Sequence, residues 1–318
     1  EKSIGQFFIS WKGKDFSRNL TKKQYQDLCD FEGNANGFKI LTQSRIGREG
    51  GLRLSYATLG AFVKYPKESL PIKPTANVSH KKYGFFQSEA RIFSEIAQEL
   101  GLSIDSTGSY VRHPLAYLVE AADDICYTII DFEDGINLGL IEEEFALEYL
   151  INLVRDSINT EKYHQLSNTT DRISYLRALS INTLINECVE IFMKNEAEII
   201  QGTFKSSLLD RSKYKAQISD IIKISVENIY ESKEVTEKEI AGYNLISVLL
   251  ESYITAANNM YAGNHNSYDK LILNLLPDTI DINKSDLYFR ILEICHYIAS
   301  FSDSQALLIY KKITANEY

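Results

Sequence analysis

The sequence has few of the residues that mark several protein classes. It contains 4 Cys and 5 Pro among 318 residues, and no two cysteines form a CxxC pair. The spacing of the cysteines argues against a zinc knuckle or a thioredoxin-like site, and the low proline count argues against a fibrous or low-complexity chain. No run approaches the roughly 18 apolar residues of a membrane-spanning helix. We therefore expect a globular, cytoplasmic protein without a membrane partner.

Paired histidines are missing as well. The 5 histidines form no HExxH motif and no adjacent His-Asp pair, so the chain lacks the imidazoles of a usual metal site. The chain also begins at Glu1, without an initiator methionine or the hydrophobic region of a signal peptide. We expect it to be a piece of a longer protein.

The charge balance is acidic, with 34 Lys and Arg against 43 Asp and Glu and a net charge of −9. This balance argues against broad adhesion to nucleic acid or anionic membranes, although a local basic patch, and with it a nucleic-acid contact, stays open. The hydrophobic fraction of 44% is typical of a folded protein. The length predicts one large domain or two small ones.

Helical periodicity dominates the chain. Ser88 predicts the start of a helix that ends at Gly101, and Pro114 suits the first position of a longer helix running toward Gly135. Strand alternation is scarce, and 262–284 reads as a long connection. Further helices are predicted from apolar spacing over 143–158, 170–201, 215–231, 237–261 and 285–313. We predict an all-α protein.

The helix that begins at Pro114 carries an acidic stripe. At about 100° per residue, five polar side chains share an arc of about 80°. They are Glu120, Asp123, Tyr127, Asp131 and Asp134. The apolar arc of about 200° predicts that this helix lies deep, and carboxylates one turn apart repel unless a cation or donors lie among them. Two interpretations stay open: a solvated acidic face, or a site in which Asp123, Tyr127 and Asp131 hold a metal and a polar ligand.

Four segments, in order, resemble the deoxyguanosinetriphosphate triphosphohydrolases, which are HD-domain metal phosphohydrolases. FEGNANG at 31–37 is similar to the family's FEGNAQ segment, and LSYATLGAFVKYP at 54–66 to its lysine-tyrosine segment. KYGFFQSE at 82–89 resembles the lead into its next helix, and 112–135 resembles its acidic helix. Residues 1–8 are similar to the sequence that follows the family's His-Asp pair.

The resemblance is dense over 1–140 and sparse beyond. It implies that 1–140 form the C-terminal part of an HD catalytic core within a helical bundle. Residues 141–318 would then be a helical region that packs on this core and on neighbouring subunits. It also implies a homo-oligomer, either a hexamer or a tetramer.

The resemblance assigns roles to single residues. Asp123 is implied to be the fourth ligand of a divalent cation, Mn²⁺ or Mg²⁺, and Tyr127 and Asp131 to contact the deoxyribose 3′-OH. Glu1 would pair with the family's catalytic histidine in proton transfer, and Arg290 would add a phosphate contact. The triphosphate would be held by Asn34, Lys64, Tyr65 and Lys82.

The implied reaction converts a deoxynucleoside triphosphate, with dGTP as the expected substrate, to the deoxynucleoside and inorganic triphosphate. Because three of the four family metal ligands have no counterpart here, we expect the chain to be inactive by itself. Two alternatives stay open. One is a non-catalytic, nucleotide-binding regulatory or scaffold protein, and the other is an HD phosphohydrolase of other nucleotides, such as cyclic or alarmone nucleotides.

Overall fold

The computed structural model describes residues 1–44, 50–282 and 284–315. Over these residues the protein has 15 α-helices and no β-strand, so the all-α prediction is confirmed, and the architecture is consistent with an HD-domain helical bundle. The helices are α1 (Lys2–Ile9), α2 (Lys22–Cys29), α3 (Gly33–Thr42), α4 (Tyr56–Phe62), α5 (Ala90–Glu99), α6 (Pro114–Asn137), α7 (Glu143–Val154), α8 (Thr160–Gln165), α9 (Thr169–Lys194), α10 (Glu196–Ile200), α11 (Lys215–Ser225), α12 (Lys233–Tyr261), α13 (Ser267–Leu273), α14 (Leu287–Ala299) and α15 (Asp303–Thr314).

The limits of α5 and α6 show which local signals are effective. Pro114 opens α6 as predicted, and Nδ1 of His113 accepts the N–H of Leu115 at 3.2 Å, which caps the helix. The prediction of Ser88 as the cap of α5 was wrong, because its hydroxyl donates to Glu89 at 2.7 Å and the helix begins at Ala90. The last turn of α5 is followed, as predicted, by a glycine in the left-handed conformation, at φ +65°.

The stretch predicted as a long connection contains α13. Asn266 and Asp269 form a capping box in which each side chain accepts the other residue's backbone N–H, at 2.9 and 3.0 Å. Ile272 and Leu273 are buried on the inner side of this helix. The helix has only two turns, so its apolar period is too short to stand out in the sequence, and its cap is the stronger signal.

Contacts between residues divide the chain into two compact units. Unit 1 comprises 1–75, 80–111 and 239–318, and unit 2 comprises 76–79 and 112–238. This division differs from the expected boundary at residue 140. The C-terminal helices belong with the first hundred residues because apolar side chains from α1, α2, α12, α14 and α15 share one hydrophobic core.

Unit 2 is built around α6, α7, α9 and α11. Its most buried ion pair is bidentate: the guanidinium of Arg112 donates to both carboxylate oxygens of Glu120, at 2.5 and 3.2 Å. The same guanidinium lies over the ring of Tyr117, 4.8 Å from its centroid. The hydroxyl of Tyr117 donates to the carbonyl of Phe204 at 2.6 Å. Charge and ring stacking therefore fix the first turns of α6 inside this unit.

Helix α12 qualifies the expectation that no segment is long and apolar enough to span a membrane. It contains a window of 18 residues with a mean hydropathy of 1.2, which meets the length and composition of a span. About a third of that window is buried within the protein, and the core helix of a soluble protein can meet the same criterion. The sequence-based expectation overlooked this window because polar residues, together with Glu251, interrupt its apolar run.

Candidate functional site

Helix α6 carries three predicted site residues on one face of unit 2. Asp123, Tyr127 and Asp131 follow one another at intervals of one turn. The two carboxylates are half-buried, whereas the ring of Tyr127 is 61% exposed. The arrangement leaves a tyrosine flanked by two acids on the outer side of the helix.

The prediction that α6 lies deep was partly wrong. Ala121, Ile125, Ile129 and Phe132 are buried, but a second set of apolar side chains is exposed. This exposed set is Leu115, Val119 and Ile130. The residues that the structure describes therefore cover only part of the apolar arc. The width of the arc alone predicted more burial of α6 than the structure has.

Tyr230 is a contact of the acidic stripe that the sequence did not reveal. Its hydroxyl donates a hydrogen bond to Asp131. Tyr230 ends a single π-helical turn, Val226–Tyr230, that follows α11, and π-turns are frequent at functional sites. Burial, followed by the Asp131 carboxylate, raises the pKa of the Tyr230 hydroxyl, so it stays a donor at neutral pH. No local pattern could indicate this pair, because 99 positions separate its members.

Removing the Tyr230 hydroxyl should weaken unit 2 slightly. In Tyr230→Phe the ring stays in place and the bond to Asp131 is lost, so the free energy of unfolding should fall by about 0.5–1 kcal/mol, the range of a partly exposed hydrogen bond. Urea denaturation followed by circular dichroism measures the change. Tyr127→Phe, which removes a neighbouring exposed hydroxyl, is the matched control. An equal loss in both variants would contradict the contact.

Glu32 connects three predicted site residues in unit 1. Its Oε1 accepts hydrogen bonds from Nδ2 of Asn34 at 2.6 Å and from Nζ of Lys82 at 3.0 Å. Oε2 of Glu1 lies 4.0 Å from the same ammonium group. A Cβ at Gly33 would come within 2.1 Å of Oε1 of Glu1, so a larger residue there would have to displace the Glu1 carboxylate. The structure therefore brings Asn34 and Lys82 together on one carboxylate and places Glu1 beside Lys82.

Sequence reasoning assigned no role to Glu32. The available signal was its position just before α3, where its carboxylate also accepts the backbone N–H of Asn34 at 3.3 Å. Glutamate is not among the residues preferred at an N-cap, so this signal is weak in the sequence. Its pairing with Lys82 depends on the tertiary fold, since the two residues are 50 positions apart.

The Lys64–Tyr65 segment runs beside the Lys82–Gly84 segment. The carbonyl of Tyr65 accepts the N–H of Lys67 at 2.7 Å, and the carbonyl of Lys67 accepts the N–H of Gly84 at 3.1 Å. A Cβ at Gly84 would lie 2.4 Å from the Tyr65 carbonyl oxygen, so only glycine allows this approach. Tyr65 is buried and Lys64 is half-buried. Two of the segments that resemble the family therefore lie side by side, connected through the backbone hydrogen bonds of Lys67.

A cavity of about 610 Å³ lies in unit 1, and Glu1, Glu32 and Lys82 line it. We name it the lysine cavity after its five lysines. These are Lys2, Lys67, Lys73, Lys81 and Lys82. With Glu1, Asp30 and Glu32 as its carboxylates, the lining has two more cationic than anionic side chains. Such an excess favours an anionic ligand, although the chain as a whole is acidic.

Arg290 is buried in unit 1, and its guanidinium is occupied by structural contacts. Nε donates to Oδ1 of Asn258 at 3.1 Å, and Nη1 donates to the carbonyl of Lys284 at 2.5 Å. The guanidinium also lies 4.1 Å from the ring centroid of Tyr261. A phosphate contact by Arg290 stays a prediction, and it would require part of this arrangement to open.

The described residues do not complete a metal centre. Among 1–44, 50–282 and 284–315, no group of three or more His, Cys, Asp or Glu side chains is placed to hold a metal ion. Catalytic divalent metals commonly take about three protein ligands. Asp123 would be one member of such a set, and the other members are not found among these residues.

Comparison with known proteins bears directly on the resemblance. No family model matches the chain. A deoxyguanosinetriphosphate triphosphohydrolase-like protein of Synechocystis sp. is 36% identical over 297 residues, which are 90% of this chain and 66% of the relative. One of Pseudomonas aeruginosa is 32% identical over 321 residues, which are 99% of this chain and 72% of the relative. One of Listeria monocytogenes is 29% identical and covers 98% of this chain and 72% of the relative.

These relatives confirm the resemblance that the four segments indicated. The aligned regions extend over nearly the whole chain, so the similarity is not limited to the dense part at 1–140. The chain spans about two thirds of the length of the relatives it matches.

Proposed function

The chain belongs to the family of deoxyguanosinetriphosphate triphosphohydrolase-like proteins, and from this membership we propose that it is the greater part of a dNTP triphosphohydrolase with dGTP as substrate. A water oxygen attacks the α-phosphorus and the bond to the 5′-oxygen breaks. The 5′-oxygen takes a proton and leaves as the deoxynucleoside, while the three phosphorus atoms leave together as inorganic triphosphate.

The observation that carries this proposal is the convergence of Asn34 and Lys82 on Glu32 at the wall of the lysine cavity, with Glu1 beside Lys82. These residues come from three separate segments of the resemblance. A charged amine and an amide at one carboxylate, beside a cavity with excess positive charge, suit a polyanion because charge-assisted hydrogen bonds are strong.

The proposed roles follow the resemblance. Asn34, Lys64, Tyr65 and Lys82 hold the triphosphate and stabilise the charge that develops on it, and Glu1 takes part in proton transfer. Tyr127 and Asp131 receive the deoxyribose, with Asp131 accepting a hydrogen bond from the 3′-OH. The Tyr127 ring packs where a ribose 2′-OH would need room, and this selects deoxynucleotides.

The proposal includes a divalent cation, Mn²⁺ or Mg²⁺, with Asp123 as one ligand. Because the described residues supply no complete ligand set, the remaining ligands would have to come from outside them. It also includes a homo-oligomer, a hexamer or a tetramer, located in the cytoplasm.

The test is to incubate the intact protein with dGTP and Mn²⁺ and to separate the products by anion-exchange chromatography. Deoxyguanosine and inorganic triphosphate should form in equal amounts. Formation of dGMP and pyrophosphate would contradict the proposed position of attack. GTP in a parallel reaction should be a much poorer substrate if Tyr127 excludes the 2′-OH.

A second candidate is a regulatory protein that binds nucleotide without hydrolysing it. The cationic excess of the lysine cavity fits binding of a nucleotide whether or not hydrolysis follows. Binding of dGTP by the intact protein without release of either product, in the presence of Mn²⁺, would support this candidate over the enzyme.

A further inference from the structure

Lys67 has unusual surroundings among the lysines that the structure describes. Its side chain lines the lysine cavity, yet the residue is only 3% exposed. Its Nζ donates to the backbone carbonyl of Glu68 at 2.6 Å. Over the part of the chain that the structure describes, no carboxylate oxygen lies within 4 Å of this ammonium group.

The neighbouring acid, Glu68, is engaged elsewhere. The carboxylate of Glu68 pairs with Lys23 and accepts a hydrogen bond from Nε2 of Gln87 at 2.8 Å. Burial lowers the pKa of Lys67 to about 8, although Glu68 and Asp30 at longer range oppose the shift. An ammonium group buried without a counter-ion costs free energy, and such groups cluster at functional sites.

The backbone of Lys67 joins the predicted phosphate segments. Its N–H donates to Tyr65 at 2.7 Å, and its carbonyl accepts from Gly84 at 3.1 Å. Lys67 therefore lies between the Lys64–Tyr65 segment and the segment that carries Lys82. The resemblance assigns it no role, because the quoted lysine-tyrosine segment ends one residue earlier, at Pro66.

We propose that Lys67 is a further ligand of the substrate's polyphosphate, which lies in the lysine cavity and supplies the anion that this ammonium group lacks. The inference rests on the proposed function, since it identifies where the triphosphate of the same substrate is held. Phosphate oxygens and the ammonium group would form charge-assisted hydrogen bonds in surroundings where these are strong.

Titration of the full chain with inorganic triphosphate, followed by calorimetry, tests the inference without requiring turnover. Lys67→Met keeps the length of the side chain and removes its charge, so the affinity for triphosphate should fall by roughly tenfold or more. The control is Lys22→Met, which removes the same charge from an exposed position outside the cavity lining. Its affinity should stay within about twofold of the wild type, as expected for an exposed, screened charge.

Thermal unfolding separates a binding role from a structural one. Lys67→Met should be as stable as the wild type or more stable, because an unpaired buried charge is removed. Triphosphate should raise the melting temperature of the wild type more than that of the variant. A variant that binds triphosphate as tightly as the wild type, or a wild type that does not bind it, would overturn the inference.

The experiments can support or refute the proposed function separately from the role of Lys67. If the wild type binds triphosphate and loses affinity in Lys67→Met, but the intact protein does not hydrolyse dGTP, the site stands and the enzymatic proposal fails. If the intact protein hydrolyses dGTP and Lys67→Met leaves the KM unchanged, the enzymatic proposal stands and the role of Lys67 is refuted.

Discussion

Replacing Asp123 by asparagine in the intact protein should reduce the release of inorganic triphosphate from dGTP by two to three orders of magnitude. Asparagine keeps the shape of the side chain on α6 but removes its negative charge. Loss of one preorganised electrostatic group costs roughly this factor in other active sites. Deprotonated oxygen ligands are also what a hard divalent cation requires, so the variant should bind Mn²⁺ more weakly.

Turnover at saturating dGTP and equilibrium binding of Mn²⁺ measure the two effects separately. Asp124→Asn is the matched control, because it removes the same charge from the next residue of the same helix, about 100° around the axis. Asp124→Asn should retain most of the activity. An active Asp123→Asn protein, or equal losses in both variants, would refute the assignment of Asp123 as a metal ligand.

Much of the fold follows from local chemistry. Pro114 and Gly101 mark helix limits because proline fits a first turn and glycine tolerates positive φ. Ser88 failed as a cap because Glu89 offered its hydroxyl a better acceptor. Short helices such as α13 are hard to predict, since two turns contain too few apolar positions to establish a period.

The candidate site could be predicted only in part. Resemblance supplied Asn34 and Lys82, but the carboxylate that joins them, Glu32, became evident only in three dimensions. Tyr230 and Lys67 were missed for the same physical reason. Tyr230 is important because it contacts Asp131, which is distant in sequence, and Lys67 because its ammonium group is buried against a backbone carbonyl. A single sequence contains no signal for either arrangement.

A second large effect is expected at Lys39, which anchors the helix that carries Asn34. Its ammonium group is buried between two carboxylates, 3.0 Å from Oε1 of Glu293 and 3.4 Å from Oε1 of Glu89. Lys39→Met leaves both acids buried without this cation. Breaking a buried ion pair by removing one partner typically costs about 3–5 kcal/mol, and we expect a loss of that order in the free energy of unfolding.

The loss should depend on pH in a defined direction. In the wild type, burial raises the pKa of Glu89 despite Lys39, whereas the ammonium groups of Lys39 and Lys284 outweigh burial and lower the pKa of Glu293. Without Lys39, the pKa of both carboxyls should lie above the unfolded values. The folded variant then binds more protons than the unfolded chain, so its stability rises as the pH falls from 7 toward 5. The difference from the wild type should shrink over that interval.

Urea denaturation at pH 7 and pH 5 measures both predictions, and Lys39→Met/Glu89→Gln/Glu293→Gln is the control. Neutralising all three groups removes the uncompensated charge, so this variant should recover much of the lost stability. Lys39→Met with unchanged stability at pH 7 would show that the three groups do not form these ion pairs.

Because Lys39 fixes α3 to the residues before α5 and to α14, its loss should also displace Glu32 and Asn34 at the start of α3. Triphosphate affinity should then fall in Lys39→Met and be partly restored in the neutral triple variant, which would connect the buried charge network to the phosphate site.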